Sequence, residues 1–522
     1  MIEAESQVQL GRFAGLFALP DTVGGQLSAD APEPGYFADL QLDQLVDAVV
    51  IGREEYDLEP AFRLRLLDLS AIERRQSVFA DLEDDRLRSA MQAFCDGLAR
   101  CKRQFASASR IRHQQQSQRW RLNAIAAYVE VIEAVIAALD EAAPSSTGMR
   151  AWLEWLRQYR ASRAFTAAAT GSRTLLADLG ALRYTLSISG DEIIASPFAG
   201  QDDLSADILA VFERFRSADV APHRFDLRPG AEMNQLHQAV LNLVVRLFPD
   251  VFDRVAHFVD QHRVIGDTVI DLVERELQFA LSWLDFIAPM RHAGLPFCVP
   301  DVRPARRLDV TDSFDVLLAH TLVAAGQRPI TNDVALAGDE LTLVVTGPNQ
   351  GGKTTLARTV GQLYHLAAIG LPVPGRSVAL HPPDSILTHF DRGDRAGDVR
   401  SRLEEEVTRV ADLLTKAGAR SVVILNEMFS STTWADAREM SSDVLRTVLD
   451  AGAVCVCVTF IDELSRLHPR VVSLVTAIDE RDVTRRTFKV ARDRADGRAH
   501  AIALAAKYGL TQEQLRARIE GR

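Results

Sequence analysis

Leu341–Thr355 reads LTLVVTGPNQGGKTT, and the order of residue types in it decides the fold of everything around it. An apolar run, Leu341–Val345, has the composition of a buried strand, and Thr355–Ile369 resumes with helical spacing. Between them stands G-x-x-x-x-G-K-T at Gly347, Gly352, Lys353 and Thr354. The spacing carries a chemistry. Glycines let backbone N–H groups converge on phosphate oxygens, a lysine brings a cation to the β- and γ-phosphates, and a hydroxyl ligates Mg²⁺. A helix that starts at the lysine adds the partial positive charge of its N-terminus. The predicted nucleotide-binding residues are therefore Gly347, Pro348, Asn349, Gln350, Gly351, Gly352, Lys353, Thr354 and Thr355, with ATP and Mg²⁺ as the ligands.

Roughly 70 residues on, a second apolar strand, Ser421–Leu425 (SVVIL), runs into Asn426-Glu427. A carboxylate at the end of such a strand can deprotonate an attacking water, so Glu427 is the candidate general base and Lys353 its catalytic companion. Asn426 can accept a hydrogen bond from a metal-bound water but carries no charge. The metal site expected is Thr354 directly, with Asn426 and Glu427 through water. The alternative is that this strand is only core and Glu427 its solvated end.

Upstream the periodicity changes. Ser28–Gly35 is rich in proline and glycine and reads as a linker, so residues 1–35 are expected to be an arm, with order starting near Tyr36. Apolar positions then recur at three and four residues, as in Leu67, Ala71, Val78 and Leu82, and again from Asn234 to about Ile287. Leu182–Ser196 alternates instead and turns at Ser189-Gly190-Asp191, which predicts a hairpin. Pro296, Pro300 and Pro304 end the helical region. The fold class expected is α/β plus all-α: a helical domain with a small β-hairpin insertion over 36–300, then a P-loop α/β domain with a mostly parallel sheet over 301–522.

Composition sets the outer bounds. A chain of 522 residues with 47% hydrophobic and 25% charged residues is ordinary globular protein of more than one domain. The apolar stretches are short or interrupted, so no membrane span is expected. The acidic N-terminus has no leader pattern, and five cysteines lack metal spacing, which points to reduced thiols and a cytoplasmic protein. A net charge of −12 argues against a surface coated in nucleic acid. One basic run stands out between Arg100 and Arg121, with Arg110, Arg112, Arg119 and Arg121 the candidate DNA contacts. A solvated helix face is the competing reading.

TGPNQGGKTT, with its Pro348-Asn349 pair and doubled glycine, resembles the phosphate loop of the MutS family of DNA mismatch repair ATPases. Ile330–Asp333 resembles that family's Asn-Asp motif, and Asn426–Ala437 (NEMFSSTTWADA) lies where its second acidic strand end and signature belong. Leu66–Asp84 and Phe248–Ile287 are similar to its helical core, Ala499–Leu510 to its dimer-interlocking helix, and the hairpin falls where the family has its DNA clamp. The resemblance implies a homodimer in which Thr432, Thr433 and Asp436 reach the partner's nucleotide. It also implies duplex or branched DNA as partner, no membrane, and hydrolysis that couples nucleotide state to DNA binding in repair or recombination. Asp391–Glu406 lies where the family has a nucleotide-responsive loop, and reads either as a switch that orders on ATP binding or as a surface loop entering a helix at Arg402.

The departures have consequences too. The Phe-x-Glu mismatch-reading wedge is not found ahead of the core. Asn426 replaces the family's aspartate, Phe429 and Ser431 replace its glycines, Phe460 its histidine, and Pro329 its adenine-stacking aromatic. Slow turnover is expected from Asn426 and Phe460. The rival expectations are a nucleotide-gated clamp with little hydrolysis, and an ABC-type ATPase with a non-DNA partner.

Overall fold

The computed structural model describes residues 13, 15–17, 33–66, 68–189, 192–200, 235–263, 266–348, 351–390, 399–478, 486–495, 510 and 512–519. The chain forms two compact units. The first takes Met1–Phe13, Arg86–Ala143 and Arg150–Asp271, and the second Ala14–Asp85, Pro144–Met149 and Leu272–Arg522.

Most of the first unit is helical: α1 (Asp85–Ala108), α2 (Gln114–Ala142), α3 (Thr147–Ala161) and α4 (Arg163–Ala181) come before a hairpin, β1 (Tyr184–Ser189) and β2 (Glu192–Pro197), then α5 (Gln235–Leu247) and α6 (Pro249–Gln261). The hairpin is antiparallel, with Tyr184 opposite Pro197 and Ser189 opposite Glu192, as the alternation predicted. α1 and α2 approach closely at Gly97, where a Cβ would come within 2.5 Å of Val131. α2, α4 and α6 share a core of Leu122, Ile125, Leu175, Val255, Phe258 and Val259. α2 is long and apolar enough, by length and composition, to cross a membrane, which the sequence reading did not expect. In the fold its apolar side packs into this core.

Among its described residues the second unit holds sheets of four and six strands and a two-stranded one that pairs Phe297–Cys298 with Val373–Pro374. α7 (Thr268–His292) leads to β3 (Asp301–Val302), β4 (Leu308–Ser313), α8 (Val316–Ala324), β5 (Asn332–Leu336), β6 (Thr342–Thr346), α9 (Lys353–Ala368) and β7 (Ser377–Leu380). Then follow β8 (Ile386–Phe390), α10 (Val399–Lys416), β9 (Val422–Asn426), α11 (Trp434–Ala451), β10 (Val454–Val458), β11 (Val471–Ile478) and β12 (Arg486–Arg492). The four-stranded sheet runs β3-β7-β4-β5 and the six-stranded one β8-β9-β10-β6-β11-β12. The latter is parallel except for β12, which is antiparallel to β11. β6, β9 and β10 are buried along their whole length, which is why they read as continuous apolar runs rather than alternating ones. In register, Phe390 lies beside Asn426, Asn426 beside Val458, and Val458 beside Val345. The carboxyl ends of four strands therefore finish along one edge, the place where open α/β sheets bind ligands.

The units do not follow a single cut near residue 300, nor is the segment before Tyr36 merely an arm. Leu16 and Phe17 are fully buried in the second unit. The buried carboxylate of Glu276 accepts the Leu16 N–H at 2.6 Å, and the Phe17 ring packs on Phe79 and Phe279. Residues 36–85 are tied to α9, through Gln362 Nε2 donating to Leu40 O and Leu66 N to Ala368 O. Tertiary packing of helices against α9 assigns them to the sheet-bearing unit, and chain order does not reveal that.

Candidate functional site

β6 delivers the chain to Gly347, at φ +123°, and Gly352, at φ +92°, occupies the cap position of α9. Both lie in the left-handed region that glycine enters without steric penalty. Glycine at 347 has a second reason, since a Cβ there would sit 2.1 Å from Thr476 Oγ1. Lys353 opens α9 with its side chain curled back over the turn, Nζ donating to Gly347 O at 2.8 Å and more weakly to Pro348 O at 3.4 Å. Burial lowers the pKa of this ammonium. Glu427 opposes that shift, and Arg486 adds to it.

The second strand end meets the loop side by side. Thr354 Oγ1 donates to Asn426 Oδ1 at 3.0 Å, joining the start of α9 to the end of β9. Glu427 has φ +54°, and its N–H donates to Val458 O at 2.9 Å. Thus Gly347, Pro348, Gly351, Gly352, Lys353, Thr354, Thr355, Asn426 and Glu427 gather at one sheet edge, while Asn349 and Gln350 lie outside the described residues.

Gly351–Thr355 and Glu427 line a cavity of about 1090 Å³ that continues between α8 and β12. Its lining mixes charged and polar groups, among them Lys353, Thr354, Glu427, Arg486, Asp315 and Arg328, with apolar ones, Phe314, Leu318, Leu322, Pro329, Ile330 and Phe488. A polyanion with a flat apolar head fits that lining. The donor set suits a hard cation too, because a hydroxyl and an amide oxygen beside a carboxylate leave room for phosphate oxygens and water, the usual magnesium shell. Among the described residues no three His, Cys, Asp or Glu side chains group as a metal cage.

Wall residues on β12 escaped the sequence reading. Arg486 and Phe488 come from β12, whose short alternating pattern does not say what it faces. Asn332 holds that strand in place: its Nδ2 donates to Phe488 O at 3.0 Å and its Oδ1 accepts the Val490 N–H at 2.8 Å. The Asn-Asp motif is thus an anchor for the cavity wall, with Asp333 accepting the Asp312 N–H at 2.8 Å. Pro329 does line the cavity, and Phe488, at φ +55°, supplies an aromatic from a different strand.

Thr432, Thr433 and Asp436 are not brought to that cavity. Thr433 caps α11, accepting the Asp436 N–H and donating to its Oδ2 at 2.7 Å. Thr433 and Asp436 are exposed beside Trp434, and Phe460 is exposed as well. Of the arginine candidates, Arg110 and Arg112 are exposed between α1 and α2 and Arg119 on α2, whereas Arg121 is half-buried over the Phe105 ring. The four do not share one face, and nearby Lys102 is paired with Asp271. Ala499–Ala506, Lys507–Gly509 and Asp391–Asp398 lie outside the described residues.

A largely parallel sheet with a glycine turn, a lysine-led helix and a neighbouring acidic strand end defines an ATPase-type α/β domain. Residues 343–517 match the family MutS domain V. The DNA mismatch repair protein MutS of Desulfatibacillum aliphaticivorans is 28% identical over 209 residues, 38% of this chain and 23% of that protein. The DNA mismatch repair protein msh-3 of Neurospora crassa is 28% identical over 255 residues, 46% of this chain and 22% of the relative. MSH3 of Phaeosphaeria nodorum is 34% identical over 143 residues, 27% and 13% of the two chains. The similarity to MutS proteins thus lies in this C-terminal segment, and each match spans less than a quarter of the relative's length.

Proposed function

We propose that the chain is a MutS-like ATPase whose dimer couples nucleotide state to DNA binding. The observation that carries the reading is the meeting of Gly351–Thr355 and Glu427 in one cavity lined by both polar and apolar groups, with Thr354 hydrogen-bonded to Asn426 at its edge. Backbone N–H groups at the start of α9 bind phosphate oxygens. Lys353 exchanges its carbonyl partners for those oxygens, a stronger charge-assisted bond. Thr354 would hold Mg²⁺ through its hydroxyl oxygen, and Asn426 and Glu427 would hold it through water. Bound Mg²⁺ supplies charge neutralisation of the triphosphate. Glu427 orients the attacking water and takes its proton. Phe488, Pro329 and Ile330 receive the base. The half-buried Thr432 and the exposed Thr433 and Asp436, away from their own chain's cavity, serve the nucleotide of a second subunit, and Arg110, Arg112 and Arg119 are the DNA contacts this reading favours.

Steady-state phosphate release tests the site. Glu427→Gln is expected to lower kcat at least about 100-fold while nucleotide affinity holds within a few fold; hydrolysis at the normal rate would remove Glu427 from the chemistry. DNA coupling is tested by binding to homoduplex, mismatched and four-way-junction DNA, with and without ATP, across a salt series. Affinity should fall steeply with salt, and absence of binding to all three would leave an ATPase with a different partner. A second reading, a clamp that holds ATP with little turnover, is favoured by one observation: the partner of the Thr354 hydroxyl is an uncharged amide. ATP-stabilised dimers without phosphate release would select it.

A further inference from the structure

The turn that carries Glu427 is held from behind by a side chain outside it. Glu427 at φ +54° and Phe429 at φ +58° both occupy the left-handed region, where a non-glycine residue is strained. Two such residues with only Met428 between them persist when surrounding contacts fix them. One contact is the Glu427 N–H to Val458 O, within the sheet edge. The other comes from α10. Glu406, 7% exposed, accepts the Phe429 N–H on Oε1 at 2.6 Å, and the same oxygen lies 3.0 Å from Nε2 of His389 on β8. An oxygen that accepts from both requires the hydrogen of His389 on Nε2. β8 pairs with β9 so that His389 stands opposite Leu425 and Phe390 opposite Asn426. Met428 and Phe429 are buried in the same cluster as Val410 and Leu413 of α10. One buried carboxylate therefore ties α10, β8 and the turn into a single unit.

We propose that Glu406 is a positioning residue for Glu427: it fixes the Phe429 amide, and through the two strained residues it sets where the water-activating carboxylate lies. This deepens the proposed function and rests on it. It also makes α10, which follows the Asp391–Asp398 segment, the element through which events on that side of the sheet reach the catalytic carboxylate.

The test uses the full chain, Mg-ATP and a fluorescent ATP analogue. Misplacing a catalytic group by about 1 Å is enough for a large rate loss, so Glu406→Ala is expected to lower kcat at least about tenfold with nucleotide Kd within about twofold. Glu406→Gln keeps an acceptor for the Phe429 N–H and should return kcat to within about threefold. Glu406→Asp keeps volume and charge near native but withdraws the acceptor by about 1.5 Å; it provides the same test if the alanine variant does not fold, with kcat down several-fold. Hydrogen exchange of peptides spanning residues 426–433 should rise in the alanine and aspartate variants and stay protected in the glutamine variant. Normal turnover in both Glu406→Ala and Glu406→Asp, equal damage in Glu406→Gln, or unchanged exchange would overturn the proposal. If the unmodified protein neither binds nor hydrolyses ATP, the nucleotide reading falls, and the exchange comparison alone then decides the brace.

Discussion

Between β6 and α9 the chain turns through Gly347 and Gly352; between β9 and α11 it turns through Glu427 and Phe429. Both turns sit on the same sheet edge, and all four residues have positive φ. The first is built from residues that tolerate that conformation, and its lysine closes on carbonyls of the same loop. The second places an acid and a buried phenyl where glycine would be unstrained, and it borrows its stability from β10 and α10. A self-contained turn presents backbone donors to a ligand whatever the state of its neighbours. A braced one moves when its braces move, which suits the part that must be switched.

The comparison breaks most directly at Lys353. If the first turn is the phosphate cradle, Lys353→Ala removes a charged donor from the phosphates and should weaken nucleotide binding at least about 100-fold, since bonds to charged groups contribute about 1.5–3 kcal/mol each. Titration with a fluorescent ATP analogue measures it, and binding within threefold of normal would move the cradle elsewhere. The next effect sharpens the contrast between the turns. Phe429→Gly relieves about 1–2 kcal/mol of left-handed strain but deletes a phenyl that is only 2% exposed, a loss of about 3–5 kcal/mol. Burial wins. Denaturant unfolding should report a net loss of about 1–4 kcal/mol, and a gain in stability would mean that Phe429 is not held by its packing.

Gly347→Ala is the mirror experiment. It adds strain at φ +123° and a Cβ 2.1 Å from Thr476 Oγ1, with no burial to offset it. Loss of about 1–2 kcal/mol is expected, with nucleotide affinity falling in parallel because the amide directions shift. Stability unchanged would show that the loop re-forms around the methyl group. Asn426→Asp should have a smaller effect, in the opposite sense. A negative charge at the Thr354 partner strengthens a hard-cation site, so the Mg²⁺ concentration for half-maximal hydrolysis should fall about threefold to tenfold. No change in a Mg²⁺ titration would place the metal away from Asn426.

The same contrast explains what could be read in advance. Leu341–Thr355 was legible because strand, turn and helix are each encoded by neighbours in sequence, and the SVVIL strand carried Glu427 with it. Phe429 was visible only as a missing glycine; that it adopts the glycine conformation anyway depends on Glu406, 23 residues away. Arg486 and Phe488 reach the cavity because β12 folds back antiparallel on β11 and Asn332 pins it. None of that is in their local pattern. Leu16 and Phe17 were hidden for the same reason, since the short apolar run Phe13–Leu19, broken by Gly15, carries neither a helical nor a strand period, and only Glu276 and the rings of Phe79 and Phe279 give them a place.

Thr433 gives the smallest expected effect and separates two roles that share one side chain. As the cap of α11 it satisfies the Asp436 N–H, and Thr433→Ala should lower stability by about 1 kcal/mol, a Tm shift of about 2–4 °C for a unit of this size. Thr433→Asn also caps helices well, so it should restore Tm while replacing the hydroxyl. If the side chain only caps, kcat follows Tm: reduced slightly or not at all in alanine, normal in asparagine. If it also donates to a nucleotide on a second subunit, kcat stays low in asparagine at normal Tm, and the defect is rescued when Thr433→Asn protein is mixed with Lys353→Ala protein. Such mixing creates one composite site with an intact Lys353 and an intact Thr433, each from a different chain. Rescue to about a quarter of normal turnover in an equimolar mixture, from half the dimers being mixed with one working site of two, would place Thr433 across an interface; no rescue would confine it to its own helix.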